Sequence, residues 1–189
     1  GVMTQLKTFS PLKKFIFETF LHIGLMHNKN WKRLSGMETL FQVESKLKKI
    51  LKFIGSIFIF ALLFLPDTLG FIIVFSKLRR KLGGKLTYPI SGGGKLPDYI
   101  DDFFSALKIN ILEGYGMTET SPVICVRTPK TLVSKTVGRP LPYTEVMIGD
   151  ENFIPLSDQT KKGIIYVKGR IAMQGYYKDV ENTSKVIRN

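Results

Sequence analysis

The stretch Leu112-Glu113-Gly114-Tyr115-Gly116-Met117-Thr118-Glu119-Thr120-Ser121-Pro122 governs how the rest of this chain is read. Tyr115 stands between two glycines, so nothing bulky beside it crowds the faces of its ring, which can stack on a flat aromatic group. Thr118 brings a hydroxyl able to donate to an anionic oxygen. Glu119 brings a hard carboxylate of the kind that Mg²⁺ takes alongside phosphate oxygens. Upstream, Ser91-Gly92-Gly93-Gly94-Lys95-Leu96-Pro97 is a second glycine run, where backbone can approach a flat or anionic ligand closely. It is not a Walker A loop, because no Gly-Lys-Ser/Thr follows at the required spacing.

Working outward, residues 85–90 read as a short strand entering the first glycine run. Pro97 opens a helix with Ile100, Phe103, Phe104 and Leu107 on one face. Asp98, Asp101 and Asp102 fall in its first turn, where acidic groups suit the helix dipole. Residues 109–112 read as a second strand before Gly114-Tyr115-Gly116. Strand, glycine loop, helix and strand make an α/β texture. After Pro140, residues 144–148 and 163–167 alternate like antiparallel strands. Val123-Ile124-Cys125-Val126 reads as a buried strand carrying the single cysteine.

The first half is different. Ser10-Pro11 is a helix start. Leu12, Phe15, Ile16, Thr19 and Phe20 form one apolar stripe, and Leu40, Val43, Leu47, Ile50 and Leu51 a second, with lysines opposite. Residues 53–65, FIGSIFIFALLFL, carry no charge before Pro66-Asp67 interrupts them. Thirteen residues of helix span about 20 Å against about 30 Å of hydrocarbon, which disfavours a simple crossing. A buried core helix, or an interfacial segment with a hairpin break at Pro66, both fit. Lys46, Lys48, Lys49 and Lys52 stand on one side, and Lys77, Arg79, Arg80 and Lys81 on the other.

The 189 residues, 44% apolar, exclude a disordered chain, and one cysteine excludes an internal disulfide framework. With two histidines, a zinc site of the usual kind is also excluded; His22 and His27, five apart, do not share a helical face. The net charge of +13 favours an anionic partner. It is concentrated in residues 1–85, where 15 Lys/Arg meet 4 Asp/Glu. Those basic residues lack interleaved aromatics, which argues against nucleic acid. The start, Gly1-Val2-Met3 without an apolar leader, reads as an internal cut or tag scar rather than a secretory signal.

Gly114 to Thr120 closely resembles the adenine-and-phosphate motif of the adenylate-forming superfamily of acyl-CoA synthetases, luciferases and adenylation domains. Ser91 to Pro97 resembles the Ser-Gly-Gly-Ala-x-Leu-Pro element before it, and Val137 to Pro142 the glycine-proline turn after it. Gly163 to Gly169, Met173 and Gly175-Tyr176-Tyr177-Lys178 resemble the strand and loop closing the large domain. Val74 to Arg79 resembles a helix end of the long-chain fatty acid–CoA ligase branch. The resemblance covers residues 66–187 well and 1–52 loosely.

The resemblance implies an α/β fold: part of a layered αβαβα domain with a mostly helical N-terminal half and the start of a β-barrel-like subdomain. The expected division is a basic helical region at 1–84, a nucleotide-binding core at 85–142 and an antiparallel β portion at 143–189. It also implies ligation of a long-chain fatty acid to CoA at the expense of ATP, through acyl-AMP. Gly92, Gly93, Gly94, Glu113, Gly114, Tyr115, Gly116 and Thr118 would border the nucleotide, with Gly93 and the backbone near Glu113 and Gly114 at the adenine. Tyr115 would stack on the base. Thr118 and Glu119 would be the catalytic residues, with Mg²⁺ on Glu119. Relatives often have Gln at position 113, so its charge beside the base is open.

The family's phosphate loop, ribose-binding Asp and catalytic lysine have no counterpart in the 189 residues. The chain therefore reads as a central piece, inactive alone, of a cytoplasmic enzyme that touches the membrane through 53–65. The rival reading is a non-enzymatic nucleotide-binding or membrane-associated remnant.

Overall fold

The computed structural model describes residues 10–38, 45–156 and 162–187. Helix α1 spans Pro11–Leu34, with extended Ser10 before it and Pro11 in its first turn. Ser45 caps the next helix, its hydroxyl accepting from the Lys48 N–H at 3.4 Å. Helix α2, Lys46–Gly70, then runs through one π-helical turn, Phe71–Phe75, into α3, Ser76–Lys81. The expected break at Pro66 is absent: the proline lies inside α2. An internal proline costs a helix ~3 kcal/mol or more. The offset comes from packing on both sides of it, since Ser56 before it and Asp67, Gly70 and Phe75 after it are all buried. Just beyond the proline, the Thr68 hydroxyl donates back to Phe64 O at 2.8 Å.

Helices α1 and α2 run antiparallel. Phe17 meets Phe75 edge-on at 6.5 Å, Gly24 lies against Phe75 and Asp67, and His27 stacks on Phe60 at 4.4 Å. Arg33 donates to the Ser56 hydroxyl at 3.2 Å. The contacting face of α1 is thus Phe17, Phe20, Gly24, His27 and Trp31. It is offset from the expected stripe, and Leu12 and Phe15 point to solvent. Leu47, Ile50 and Leu51 are also exposed, so the second stripe is not a core face either; Leu40 and Val43 lie outside the described residues. The core gathers where α1, the π turn and the next helix meet, around buried Phe17, Phe75, Leu107 and Ile109.

That next helix, α4, spans Asp98–Ala106 and follows Pro97 as expected. Its aspartates do more than complement the dipole. Asp98 pairs with Lys135, Asp102 with Lys32 and Asp101 with Arg127, at 3.3, 3.3 and 3.0 Å. The sheet is ordered β1-β2-β3-β4: Ile90–Ser91, Leu112–Gly116, Val123–Val126 and Arg139–Pro140. β1 and β2 are parallel, and the other pairs antiparallel. The strand expected at 109–112 begins instead at Leu112 and includes the glycines. The backbones already run together before it, since Asn110 N–H donates to Thr87 O and Leu112 N–H to Pro89 O. A separate antiparallel pair, β5 (Thr144–Gly149) and β6 (Ile164–Gly169), matches the expected alternation, and α5, Val180–Val186, follows.

Candidate nucleotide site

The parallel pairing of β1 with β2, Ser91 opposite Glu113, sets the two glycine runs side by side. Gly92 lies against the Gly114 carbonyl, and Gly93, with φ +79°, turns the chain into Gly94. Neighbouring strands are about 4.8 Å apart, so Gly93 and Tyr115 can border one small ligand. The first run leaves the carboxyl end of β1, the side on which open α/β sheets bind ligands, and the second begins where β2 passes from its parallel pairing with β1 to its antiparallel pairing with β3.

A register shift between Tyr115 and Gly116 ends the regular ladder. A bulge of this kind re-aims the following side chains. Gly116 passes so close to Pro122 that any Cβ would collide with the Pro122 carbonyl. The turn Thr118–Thr120 then presents Thr118 to solvent, while the Thr120 hydroxyl turns inward and donates to the Pro122 and Met117 carbonyls.

Glu119 is held from two directions. The Met173 N–H donates to its backbone carbonyl, and the Tyr176 hydroxyl donates to Oε1, both at 2.8 Å. Its own backbone N–H and the Tyr176 hydroxyl keep the carboxyl below the usual carboxylate range, and the same bond pushes the Tyr176 phenol up. Glu119 is therefore ionised at neutral pH. Among the described residues no three His, Cys, Asp or Glu gather into a ready-made metal cage. A single ionised carboxylate beside the exposed Thr118 hydroxyl is a donor set that fits Mg²⁺, which is usually held by one or two carboxylates plus substrate phosphates.

Glu113 is engaged elsewhere. Its Oε1 accepts from the Leu96 N–H at 3.0 Å and its Oε2 from Arg127 Nη2 at 2.6 Å. Arg127 also donates to Asp101 Oδ2 at 3.0 Å and to the Thr136 carbonyl. All three charged side chains are buried. Glu113 thus stiffens the floor of the site, tying α4, β2, β3 and the first glycine loop together. Its carboxylate, not its backbone, makes the tie to Leu96.

Arg127 and Tyr176 are the functional positions that reading the sequence missed. Tyr176 lay within a quoted motif, but nothing in the spacing linked it to Glu119, 57 residues earlier. Arg127 directly follows the strand Val123–Val126 and belongs to none of the quoted motifs. A separate cavity of about 490 Å³ lies at the opposite, amino end of β2, among His27, Trp31, Phe60, Asn110, Ile111 and Leu132. Asp101 and Arg127 also line it, so the buried tie beneath the glycine runs forms part of its wall. His27 there pairs with Asp67 at 3.3 Å, and burial lowers its pKa below the usual value.

Residues 29–177 match the family of AMP-binding enzymes. The probable acyl-activating enzyme 16, chloroplastic, of Arabidopsis thaliana is 31% identical over 99% of this chain and 26% of its own length. A chloroplastic long-chain-fatty-acid–[acyl-carrier-protein] ligase of the same plant is 32% identical over the same shares. Its peroxisomal long chain acyl-CoA synthetase 7 is 38% identical over 61% of this chain and 17% of its own. The chain therefore spans about a quarter, or less, of the length of these relatives. An anthranilate CoA ligase in complex with anthranoyl-AMP (TM-score 0.50, 18% identity, 54% of this chain and 20% of that one) shares the fold. So does an unliganded O-succinylbenzoate coenzyme A synthetase from Bacillus subtilis (TM-score 0.50, 22% identity, 61% and 26%). On the match through both glycine runs and the Thr118–Glu119 turn, the chain belongs to the AMP-binding, adenylate-forming enzyme family.

Proposed function

We propose that the intact protein containing this chain activates a long-chain fatty acid in two steps. A carboxylate oxygen of the acid attacks the α-phosphorus of ATP, the bond to the β-phosphate oxygen breaks, and pyrophosphate leaves. The thiolate of CoA then attacks the acyl carbon, and the acyl–oxygen bond breaks to release AMP. The observation that carries this reading is the pairing of Ser91 with Glu113, which juxtaposes Gly92–Gly94 with Gly114–Glu119.

In this reading the glycine backbones border the adenine and Tyr115 offers its ring to the base. Thr118 donates to a phosphate oxygen, and Glu119 would hold Mg²⁺. The ion supplies charge neutralisation on the phosphates when bound. The chain's own contribution is positioning: the bulge and the Arg127 tie fix the floor, and Tyr176 fixes the direction of Glu119. The isolated 189 residues are expected to be inactive.

The test is fatty-acid-dependent exchange of labelled pyrophosphate into ATP by the intact protein across a series of saturated acids. Exchange supports the reading, and its absence with every acid refutes it. A second acceptor has its own support, because a relative matched across 99% of this chain is named as a ligase to acyl-carrier protein. Mass analysis of the thioester formed with CoA and acyl-carrier protein both present decides between them.

A further inference from the structure

We propose that the outward face of α2 and α3 lies in the plane of an anionic lipid bilayer and holds the enzyme to it. The helix has its polarity reversed. Its buried positions include Ser56 and Asp67, facing α1, whereas Leu51, Ile54, Phe58, Leu62, Leu65, Leu69 and Ile72 face outward. Those residues recur at three- and four-residue spacing, so they form one stripe along the helix. Phe58, Leu62 and Leu65 at its centre are 72%, 76% and 71% exposed. Soluble helices put such a stripe inside, and contiguous apolar surface on this scale marks an interaction site.

The occupant is read from the charges. Lys46, Lys48 and Lys49 stand exposed at one end, and Lys77, Arg80 and Lys81 at the other. Lysine is depleted at the centres of protein–protein interfaces but is favoured where a helix settles among anionic headgroups. The continuous helix, residues 46–81, is long and apolar enough to cross a membrane by length and composition. The neighbouring helix argues against a crossing. α1 packs along the inner face, with Lys14, Glu18, Lys29 and Lys32 on it, and a crossing would drag those charges into hydrocarbon. The inner face also carries Asp67, paired with His27 at 3.3 Å and with Lys108 at 3.2 Å. Lying flat leaves these groups on the protein side and places only the stripe in the acyl boundary. This inference does not depend on the proposed reaction.

The test is flotation of the intact protein on phosphatidylcholine vesicles with and without phosphatidylglycerol. Wild type is expected to float on the anionic vesicles, to be released by an alkaline carbonate wash, and to bind neutral vesicles far less. Replacing Lys46, Lys48 and Lys49 with Gln should lower the partition coefficient about 100-fold, at roughly one headgroup interaction per lysine. The variant F58E/L62E/L65E should remain folded and monodisperse without lipid, yet stay at the bottom of the gradient. Wild type that does not float, or a triple-glutamate variant that floats equally well, overturns the proposal. So does unfolding of that variant without lipid, which would show the stripe packed on protein. Resistance to carbonate would establish a crossing and overturn the in-plane arrangement.

Discussion

Arg127 is the position where a single change should cost most. Its side chain is 3% exposed, and the carboxylates it bridges, Asp101 and Glu113, are each 7% exposed. Replacing it with Met fills similar volume but removes three hydrogen-bonded contacts and the one positive charge of the cluster. Asp101 and the Thr136 carbonyl then lose the Arg127 donor, and Glu113 keeps only the Leu96 N–H. Breaking a buried ion pair from one side costs about 3–5 kcal/mol, because the remaining charge is left without compensation. Hydrogen exchange reads this locally in the intact protein. Amides of β2 and β3 should exchange about 10²- to 10³-fold faster in R127M, at 1.4 kcal/mol per tenfold. R127K keeps the charge but cannot fork towards three acceptors, so it should fall between. Combining R127M with D101N and E113Q neutralises the cluster and should recover part of the loss. A change of less than tenfold in R127M would show that Arg127 does not hold these strands, and the account of the site's floor would fail.

The remaining expectations follow from single contacts. E119Q should lower the rate of acyl-AMP formation about 10²- to 10³-fold, by analogy with removal of one charge-stabilising group, while leaving the circular dichroism spectrum unchanged. Y176F frees the Glu119 carboxyl to titrate nearer the ordinary range, so the acid limb of kcat/KM against pH should move to higher pH; an unmoved limb would remove Tyr176 from the site. His27 has its pKa lowered from 6.5, by burial first and by Lys108. The unfolded chain therefore takes up that proton before the folded one does. Stability should be complete above pH 6.5 and fall as the pH drops below it, and H27N should flatten that slope in urea titrations. The buried Cys125 thiol, pushed up by burial, should resist iodoacetamide in the native protein and react at once in denaturant.

The site was legible because its chemistry is carried by residue types in a short run. Gly114 to Glu119 spans nearly the whole candidate turn, and the first glycine run, placed before it by motif order, is its neighbour in the sheet. The strand boundary was not legible. Ile109 and Ile111 are buried and signal a strand, but pairing begins only at Leu112 and continues through glycines, which periodicity does not register. The Asp101–Glu113–Arg127 tie was invisible for a similar reason: its members are 12 and 14 residues apart and meet only after α4 folds back. In the first half, Pro66 suggested a break, yet long-range packing of Asp67 and Phe75 against α1 carries the helix through it. The apolar stripes were misread because burial was assumed to follow hydrophobicity. In α2 the buried face is the more polar one.

The central claim, that nucleotide lies between the two glycine runs, is tested most directly by photolabelling the intact protein with 2-azido-ATP and mapping the modified peptides. Label should fall within residues 91–96 and 113–119, with Tyr115 among the modified residues, and excess AMP should abolish it. Label confined to other peptides, for instance those around His27 and Phe60 at the opposite end of β2, would contradict the account.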